Sequence, residues 1–596
     1  MRVRNNQKIN GERIIKMTVS EYIFDFLQKK GCGTVYMVSG SSAMWLTDAL
    51  KRNTQLEAVC CQHEQVAAMA ADGYGRKGDV PGVCLVTIGP GATNAITGVA
   101  GAYVDSSPMF VLSGQANSRI LQYQMDSGIR QKGTQSINLE NMVSDITKYF
   151  AAVMNEADIR YHMEMAYKAA MSGRKGPVWL DIPIDIQNKQ VPENMKGMEE
   201  SVEDKCKTDE GETVPLEQMK ELLEQSKKPL ILAGYGVLGA KAQKEVLEFA
   251  EEYQIPIVTS RAGIGVIETN HPLYIGRPGS YGDRASHFAI QECDLLFILG
   301  SRLSVSTIGY YPQRFAGNAK KVMVDIDERE LQKEDVPVDL KVQMDIKQFM
   351  LSMLSKEWHV LAHEEWISHC QDNREKYPTV LPEYEQEDGI NSYYFTRELS
   401  RLVPEGADIV VDTGSVCNIV SQSWELKKDQ NYIISGGLSS MGFWASAVGI
   451  AARSKNVIAL AGDGSTQMNI QDFATLAYYH LPVKLFVYNN QGYMLIRHNQ
   501  HNYMNDRFLG VGPDSGVPAV EFEKVAKAYK LKTVKIEKKE EIKNKIKEAL
   551  EFEGPVVCEV MVQEFGIIAP RISSRVMPDG SLKAAEFDDL WPFLNE

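Results

Sequence analysis

From about residue 18 onward, the chain alternates short runs rich in valine, isoleucine and leucine with amphipathic segments. A parallel strand that is covered by helices on both faces has no solvated side, so its sequence is apolar throughout. Successive parallel strands also need a long crossover, which a helix usually provides. The alternation therefore predicts the α/β class, built from doubly wound parallel sheets with helices on both faces.

Length and two polar stretches divide the chain into blocks. Its 596 residues exceed what one hydrophobic core supports, because domains of about 150 residues are typical. Polar, charged sequence occurs at about 187–215 and again between residues 356 and 389. We interpret both stretches as exposed linkers and predict three domains, at residues 17–187, 215–355 and 385–567.

Apolar runs mark four predicted strands in each block. In the first block they are residues 56–61, 82–87, 109–113 and 177–182. In the second block they are residues 229–233, 256–260, 295–300 and 322–326. In the third block they are residues 409–412, 457–461, 484–488 and 556–560.

Charge and cysteine content limit the partners and the compartment. Lysine and arginine number 64 against 78 aspartate and glutamate, a net charge of −14, so the chain has no general basic field for a nucleic acid backbone. The nine cysteines include no C-x-x-C pair, and the first seventeen residues contain no apolar signal-like core. We therefore expect a cytoplasmic protein that acts on small molecules and binds neither nucleic acid nor a membrane.

The segment from residue 456 to residue 493 carries the most specific pattern. The predicted strand at 457–461 is followed by Gly462-Asp463-Gly464, a helix is predicted over about 469–480, and the predicted strand at 484–488 is followed by Asn489-Asn490. Because both strands of a βαβ unit are parallel, Asp463 and Asn490 should emerge at the same carboxyl edge of the sheet, where open α/β sheets bind ligands. A carboxylate, an amide oxygen and a nearby backbone carbonyl suit Mg²⁺ that also binds phosphate oxygens. Either turn alone is an ordinary turn sequence.

This spacing resembles the cofactor signature of thiamin diphosphate (ThDP) enzymes. The wider sequence is similar to the acetolactate synthase (acetohydroxyacid synthase) large-subunit family. HEQVAAMAADGYGR (63–76), GPGATNAITG (89–98) and SGGLSSMGF (435–443) precede the GDG and NN turns in that family's order. The resemblance implies a pyrimidine-binding, a middle and a diphosphate-binding domain, and it implies that Asp463, Asn490 and the carbonyl of Gly492 hold Mg²⁺.

The resemblance also implies roles for other residues. Glu64 matches the glutamate that hydrogen-bonds N1′ of the aminopyrimidine and promotes activation of the cofactor. Gln135 matches a second catalytic residue, and Met441 matches the apolar residue that bends the cofactor. The other implied cofactor-binding residues are Pro90, Asn94, Asn418, Ser439, Gly464 and Ser465.

The activity implied by the resemblance is decarboxylation of a 2-keto acid, in the first instance pyruvate, and transfer of its two-carbon unit to a carbonyl acceptor. A ThDP-dependent decarboxylase or cyclic-dione hydrolase that uses no acceptor remains an alternative. A non-enzymatic ThDP-binding subunit is disfavoured, because binding the diphosphate does not need Glu64. The family also implies a homodimer or homotetramer in which one cofactor contacts the first domain of one chain and the third domain of another.

A glycine-rich turn in the second block leaves a further cofactor open. Gly234, Gly236 and Gly239 follow a predicted strand and open a helix, which matches G-x-G-x-x-G. Some members of the family hold FAD in the middle domain. The motif alone is weak evidence. Two interpretations therefore remain open: the turn binds FAD, or it serves only packing.

Three departures from the family bear on the substrate. Asn499 stands about where the family has a tryptophan, and Thr134 stands where it has a phenylalanine before Gln135. The loop at 116–134 is longer and contains Arg119, Arg130 and Lys132. Asn418 also replaces a frequent histidine. The changes at Asn499, at Thr134 and in the loop favour a larger, hydroxylated or anionic acceptor such as a keto-sugar, against the alternative of an acetolactate synthase with a divergent pocket. The change at Asn418, near the diphosphate, bears on affinity more than on reaction type.

Overall fold

The computed structural model describes residues 8–9, 12–13, 17–198, 214–576 and 582–594. Within these residues lie three six-stranded sheets and two short antiparallel hairpins. Every strand pair of the three large sheets is parallel. The predicted α/β class is therefore confirmed.

The strands are numbered along the chain. The N-terminal hairpin pairs β1 (Lys8–Ile9) with β2 (Glu12–Arg13). The first sheet contains β3 (Thr34–Met37), β4 (Glu57–Cys60), β5 (Gly82–Val86), β6 (Met109–Gln115), β7 (Tyr149–Ala152) and β8 (Pro177–Pro183). The second contains β9 (Pro229–Ala233), β10 (Ile257–Thr259), β11 (Tyr274–Gly276), β12 (Leu295–Leu299), β13 (Lys320–Asp325) and β14 (Leu340–Gln343). The third contains β15 (Asp408–Val411), β16 (Asn431–Ile434), β17 (Val457–Gly462), β18 (Val483–Asn489), β19 (Lys532–Ile536) and β20 (Val556–Met561), and a last hairpin pairs β21 (Ser574–Val576) with β22 (Leu582–Ala584).

The helices connect and cover these strands. Those around the first sheet are α1 (Val19–Lys29), α2 (Met44–Arg52), α3 (Glu64–Lys77), α4 (Pro90–Val104), α5 (Ser118–Ser127), α6 (Glu140–Val143), α7 (Ile159–Met171) and α8 (Ile184–Gln187). The middle of the chain contains α9 (Leu216–Gln225), α10 (Tyr235–Gly239), α11 (Gln243–Glu252), α12 (Arg284–Glu292), α13 (Val305–Ile308), α14 (Glu328–Leu331), α15 (Ile346–Leu354) and α16 (Glu364–Lys376). The last part contains α17 (Ser392–Leu402), α18 (Ser415–Ser423), α19 (Ser446–Ile450), α20 (Asp463–Met468), α21 (Phe473–Tyr478), α22 (Met494–Met504), α23 (Phe522–Ala528) and α24 (Ile542–Glu551).

Strand order distinguishes the second sheet from the other two. The first sheet has the order β4-β3-β5-β6-β8-β7, and the third has β16-β15-β17-β18-β20-β19. Counted from the first strand of each sheet, both orders are the same. The second sheet has the order β11-β10-β9-β12-β13-β14, in which the strands spread outward on both sides of β9 and β12. That order is typical of mononucleotide-binding halves joined at a switch point.

The chain folds into two compact units. The first covers residues up to 205 together with 445–454 and 469–481, and the second covers 206–444, 455–468 and 482–596. The second and third sheets both belong to the second unit. The two inserted segments give the first unit α19 and α21, so the third sequence block does not fold entirely within one unit.

A close crossing of α3 and α19 organises the first unit. An ideal Cβ placed on Gly449 would lie 1.7 Å from the carbonyl oxygen of Ala70, and one on Gly73 would lie 2.3 Å from that of Ser446. Glycine at both positions is therefore required for the two helix backbones to approach this closely. The crossing buries α3 from Val66 to Gly75 and fixes the helix whose first residue is Glu64.

All predicted strands are present, and the three large sheets contain six more that were not predicted: β3, β7, β11, β14, β16 and β19. The helix predicted over 469–480 is wrong in its bounds. Helix α20 begins at Asp463 directly after β17, and the chain leaves helical geometry at Asn469 (φ −130°, ψ 27°) before α21 begins. Asparagine competes for backbone hydrogen bonds and favours such an interruption.

Of the two predicted linkers, the second is packed structure. Helix α16 lies within it, Trp366 and Cys370 are buried, and the Trp366 indole donates to the carbonyl of Pro229 at 2.9 Å. Most of the first linker, residues 199–213, lies outside the described residues.

Among the residues that the structure describes, no helix is both long and apolar enough to cross a bilayer.

Candidate functional site

The GDG and NN turns meet at the carboxyl edge of the third sheet. Strands β17 and β18 are neighbours, and Gly462 pairs with Tyr488 in their register. Asp463 and Asn490 each follow the end of one of these strands, so they emerge side by side as the sequence predicted.

Asp463 is buried and already ordered by backbone groups. One carboxylate oxygen accepts the N–H of Gly464 at 2.8 Å, and the other accepts the N–H of Gly492 at 2.7 Å. Burial raises the pKa of Asp463 to about 6, and these two N–H groups oppose that shift. The contacts aim the carboxylate at the turn after β18 and join the two turns into one structure.

Asn490 presents a buried amide oxygen. Its side chain is 3% exposed, and Oδ1 has no hydrogen-bond partner within the described residues. Burying a polar atom without a hydrogen bond costs free energy, so Oδ1 is positioned to bind a ligand. Together with a carboxylate one strand away, this oxygen fits the hard-oxygen donors that Mg²⁺ prefers.

Gly492 is restricted to glycine by its surroundings. Its φ is +143°, and an ideal Cβ would lie 2.0 Å from the carbonyl oxygen of Val511. Gly464 is restricted in the same way, because a Cβ there would lie 2.1 Å from the ring of Tyr493. Gly492 therefore lets backbone approach closely beside Asp463, and Gly464 makes room for the ring of Tyr493.

Asp412 is a residue that sequence reasoning missed. At the end of β15, its carboxylate accepts the N–H groups of Thr413 at 2.7 Å and Trp444 at 2.9 Å, and Ser465 also hydrogen-bonds it. Burial raises its pKa to about 6. Asp412 thereby links Ser465 to the turn that follows Met441. The signal that could have found it is an acidic residue directly after an apolar strand, in DTGS.

The other predicted residues of the second unit lie on nearby loops and helices of the third sheet. Asn418 is buried on α18. Met441 is half-buried and precedes Gly442, while Ser439 is exposed and takes a positive φ of 52°. Ser440 donates its N–H to the Ser435 hydroxyl at 3.3 Å, which orders the turn between them.

In the first unit, Glu64 and Asn94 are in contact. Glu64 is the first residue of α3, where His63 caps the helix by accepting the N–H of Gln65. The amide of Asn94 donates to Glu64 Oε2 at 3.0 Å. Pro90 opens α4, so the structure brings Glu64, Pro90 and Asn94 to the adjoining N-termini of two helices.

Gln135 lies against the start of α4 through its backbone. It takes a left-handed conformation with φ +62°, and its carbonyl oxygen lies 2.5 Å from where a Cβ on Gly89 would stand. Its side chain is exposed, as is that of Thr134.

The long loop before Gln135 is ordered by a buried side chain. It contains α5, and Gln124 on this helix is 3% exposed. Gln124 accepts the N–H of Lys132 at 3.1 Å and the hydroxyl of Ser136 at 2.6 Å, and it donates to the Arg130 carbonyl at 3.1 Å. The side chains of Arg119, Arg130 and Lys132 are exposed, and the Lys132 ammonium lies over the ring of Tyr123.

The glycine-rich turn of the second sheet serves packing. The N–H of Gly234 donates to Leu299 at 2.8 Å, and that of Gly236 donates to Gly300 at 2.9 Å. A Cβ on either glycine would collide with the backbone of Gly300. Two N–H groups that would hold a pyrophosphate are therefore bonded to protein carbonyls, and this turn does not fit the phosphate role that FAD would need.

Family models of the thiamine pyrophosphate enzymes match the chain in three places: the N-terminal TPP binding domain at residues 17–142, the central domain at 216–353 and the C-terminal TPP binding domain at 412–560. A probable acetolactate synthase large subunit of Methanocaldococcus jannaschii is 30% identical over 96% of this chain and 98% of its own length. The chain belongs to the thiamine pyrophosphate enzyme family. Thiamine pyrophosphate is thiamin diphosphate, so the predicted resemblance is confirmed.

Two other relatives of this thiamine pyrophosphate enzyme also have names that contain the words acetolactate synthase. An acetolactate synthase of Arthrospira platensis is 31% identical over 92% of the chain and 95% of its own length. The acetolactate synthase isozyme 1 large subunit of Escherichia coli K12 is 30% identical over 94% of the chain and 96% of its own length. The three parallel sheets thus correspond to the three domains of an enzymatic family.

Proposed function

We propose that this thiamine pyrophosphate enzyme uses Mg²⁺ to bind its cofactor, decarboxylates a 2-keto acid and transfers the two-carbon unit to a carbonyl acceptor. The observation that carries the proposal is the unpaired Oδ1 of Asn490 beside the carboxylate of Asp463, at the edge of a sheet that matches the TPP-binding domain. The names of the relatives support a keto-acid substrate, with pyruvate as the first to test.

In this proposal the second unit binds the charged end of the cofactor. Asp463, Asn490 and the Gly492 carbonyl would hold Mg²⁺, and Gly464 and Ser465 would lie next to the diphosphate. Asn418 and Ser439 would contribute on the same side, and Met441 would pack under the cofactor. Asp412 would keep Ser465 and the Met441 turn in place through its hydrogen bonds with Ser465 and with the backbone of Phe443 and Trp444.

The first unit supplies the proton-handling group. Bound thiamin diphosphate supplies a carbon nucleophile and an electron sink, which is the chemistry that decarboxylation of a 2-keto acid requires. Glu64 would hold and return a proton at its carboxylate beside the pyrimidine, and Asn94 would fix Oε2 so that Oε1 stays available. Pro90 would line the pyrimidine, and Gln135 would contact the substrate.

In this proposal Asn499, Thr134 and Gln135 would place polar groups on the acceptor side. Asn499 is exposed on α22, and Thr134 and Gln135 are exposed on the ordered loop. A site with polar groups discriminates against substrates that would leave those groups unpaired. We therefore propose a hydroxylated or anionic acceptor larger than pyruvate, such as a keto-sugar.

The test is a product survey with purified protein, ThDP, Mg²⁺ and pyruvate. We expect slow acetolactate formation and a higher kcat/KM when a keto-sugar is added. Efficient acetolactate formation with no gain from any larger acceptor would reject the polar-acceptor proposal. Acetaldehyde as the main product under all conditions would favour a simple decarboxylase, and turnover of a cyclic dione without pyruvate would favour a hydrolase.

A further inference from the structure

Arg497 holds the turn that contains the proposed metal ligands. It lies in the first turn of α22, and its own N–H donates to Tyr493 at 2.9 Å. Its guanidinium donates to the carbonyl oxygens of Asn490 at 3.4 Å, Gln491 at 3.0 Å and Val511 at 3.0 Å, and also to Glu564. One side chain therefore binds the turn after β18, the loop around residue 511 and the segment after β20.

These contacts determine how the turn faces Asp463. The carbonyls of Asn490 and Gln491 belong to the two peptide groups between the Asn490 side chain and the Gly492 backbone. Fixing them holds the backbone that carries the Asn490 side chain and leads into Gly492. The N–H of Gly492 and the Tyr493–Val511 hydrogen bond fix the far end of the same turn.

The guanidinium group is suited to this task. Its planar fork offers five N–H donors in a rigid arrangement, whereas a lysine ammonium is a flexible point charge. We propose that Arg497 is a positioning residue for the divalent metal, which holds residues 490–492 so that Asn490 and Gly492 face the carboxylate of Asp463. This inference rests on the proposed function, which takes these residues as metal ligands.

Metal selectivity separates this role from general stabilisation. Mg²⁺ requires near-ideal octahedral geometry at roughly 2.0–2.1 Å, whereas Ca²⁺ accepts variable geometry at roughly 2.3–2.6 Å. A loosened turn should therefore penalise Mg²⁺ more than Ca²⁺. A purely electrostatic role of the Arg497 charge would act alike with either divalent cation, so it would leave the ratio of Mg²⁺- to Ca²⁺-supported ThDP affinity unchanged.

The experiment measures ThDP affinity of the full chain by calorimetry, once with saturating Mg²⁺ and once with saturating Ca²⁺. Arg497→Met removes the donors, Arg497→Lys keeps the charge without the fork, and Arg507→Met changes an exposed arginine nearby as the control. We expect Arg497→Met to weaken Mg²⁺-supported binding about 10- to 100-fold, as outer-shell substitutions do, with a smaller loss in Ca²⁺. Arg497→Lys should be intermediate, and Arg507→Met should match wild type.

Equal losses with both metals, or unchanged affinity, would overturn the inference. If circular dichroism shows that Arg497→Met does not fold, Arg497→Lys decides: its ratio of Mg²⁺- to Ca²⁺-supported affinity must fall, and an unchanged ratio rejects the positioning role. Wild-type protein without any metal-dependent ThDP binding would instead reject the proposed function itself.

Discussion

The buried amide oxygen of Asn490 has no hydrogen-bond partner within the described residues, and the proposed metal site depends on it. Buried polar side chains normally have a hydrogen-bond partner, and those without one need an explanation. Here the explanation lies in the neighbours, because Asp463 stands one strand away with both oxygens ordered by backbone N–H groups. A cation bound between them would satisfy the amide oxygen and compensate the cost of burying the carboxylate.

The first prediction concerns Asp463. We expect Asp463→Ala to weaken Mg²⁺-supported ThDP binding by at least about 100-fold, because the metal loses its charged ligand. Calorimetry on the full chain measures the affinity, and Asp514→Ala, at an exposed aspartate of the same unit, is the control. Wild-type affinity in Asp463→Ala would show that the metal site lies elsewhere.

The second prediction concerns Glu64. Glu64→Gln keeps the shape of the side chain but removes its proton-transfer capacity, so turnover should fall by about 10²-fold or more. Thermal stability and Mg²⁺–ThDP affinity should change little, and Glu57→Gln, at an exposed glutamate on β4, should leave turnover unchanged. Exchange of the cofactor C2 proton, followed by NMR, reports the step directly. An unchanged exchange rate in Glu64→Gln would assign the activation to another group.

At the scale of elements, helix packing decides where Glu64 stands. Helix α3 can approach α19 closely only because Gly73 and Gly449 lack side chains. Sequence patterns predicted the strand at 56–61, which precedes α3. They did not identify its partner, because α19 follows about 370 residues later in the chain.

The third prediction tests this crossing. Gly449→Ala should destabilise the protein by about 1–3 kcal/mol or more, because the new methyl group would collide with backbone rather than with a movable side chain. Gly101→Ala is the matched control in α4, where an ideal Cβ meets no atom of the described residues within 4 Å. That change should be neutral or stabilise by about 0.5–1 kcal/mol through helix propensity. Denaturant unfolding measures both, and equal effects would contradict the close crossing.

The strands that sequence analysis missed have a common physical cause. Five of the six lie at sheet edges, where a strand has one neighbour and is less completely buried. Strand β7 is only partly buried along its whole length, and β14 buries one residue of four. Strands β14 (LKVQ) and β19 (KTVKI) also place polar residues between their apolar ones, unlike the continuous apolar runs that marked the central strands. The sixth, β3, is central but only four residues long, and threonine and tyrosine interrupt its apolar pattern.

The loop before Gln135 shows the same limit at a functional position. Its length and charged residues were noted from the sequence, and the side chains of Arg119, Arg130 and Lys132 are exposed. Nothing in the composition indicated that Gln124 would be buried and bind three parts of the loop. These hydrogen bonds of Gln124 join α5 to the residues that precede and follow Gln135.

At the scale of the whole molecule, the question is whether one cofactor site takes its residues from one chain or from two. Glu64 belongs to the first compact unit and Asp463 to the second. The family resemblance implies that one cofactor takes its pyrimidine contacts and its metal contacts from different chains, which requires at least a homodimer.

The fourth prediction is complementation between two inactive variants. Mixing Glu64→Gln with Asp463→Ala under conditions of subunit exchange should restore about a quarter of the wild-type sites, because random pairing makes half the dimers mixed and each holds one intact site. Activity should rise on exchange, whereas the total number of ThDP-binding sites should stay at about half of the wild-type number, because every site with an intact Asp463 binds the cofactor before and after exchange. Two preparations of the same variant serve as the control. No recovery despite exchange shown by mass spectrometry would indicate sites within single chains.

The sequence by itself determined the α/β class, the three successive sheets and the position of Asp463 and Asn490 at neighbouring strand ends. Those features depend on local periodicity and on turn chemistry, which are readable within a few dozen residues. Only the tertiary structure decided the sheet edges, the break in the helix at Asn469, the unpaired oxygen of Asn490 and the four carbonyls around Arg497. Burial and hydrogen bonding at these places depend on residues that are distant in the chain, and no local pattern records which of them will meet.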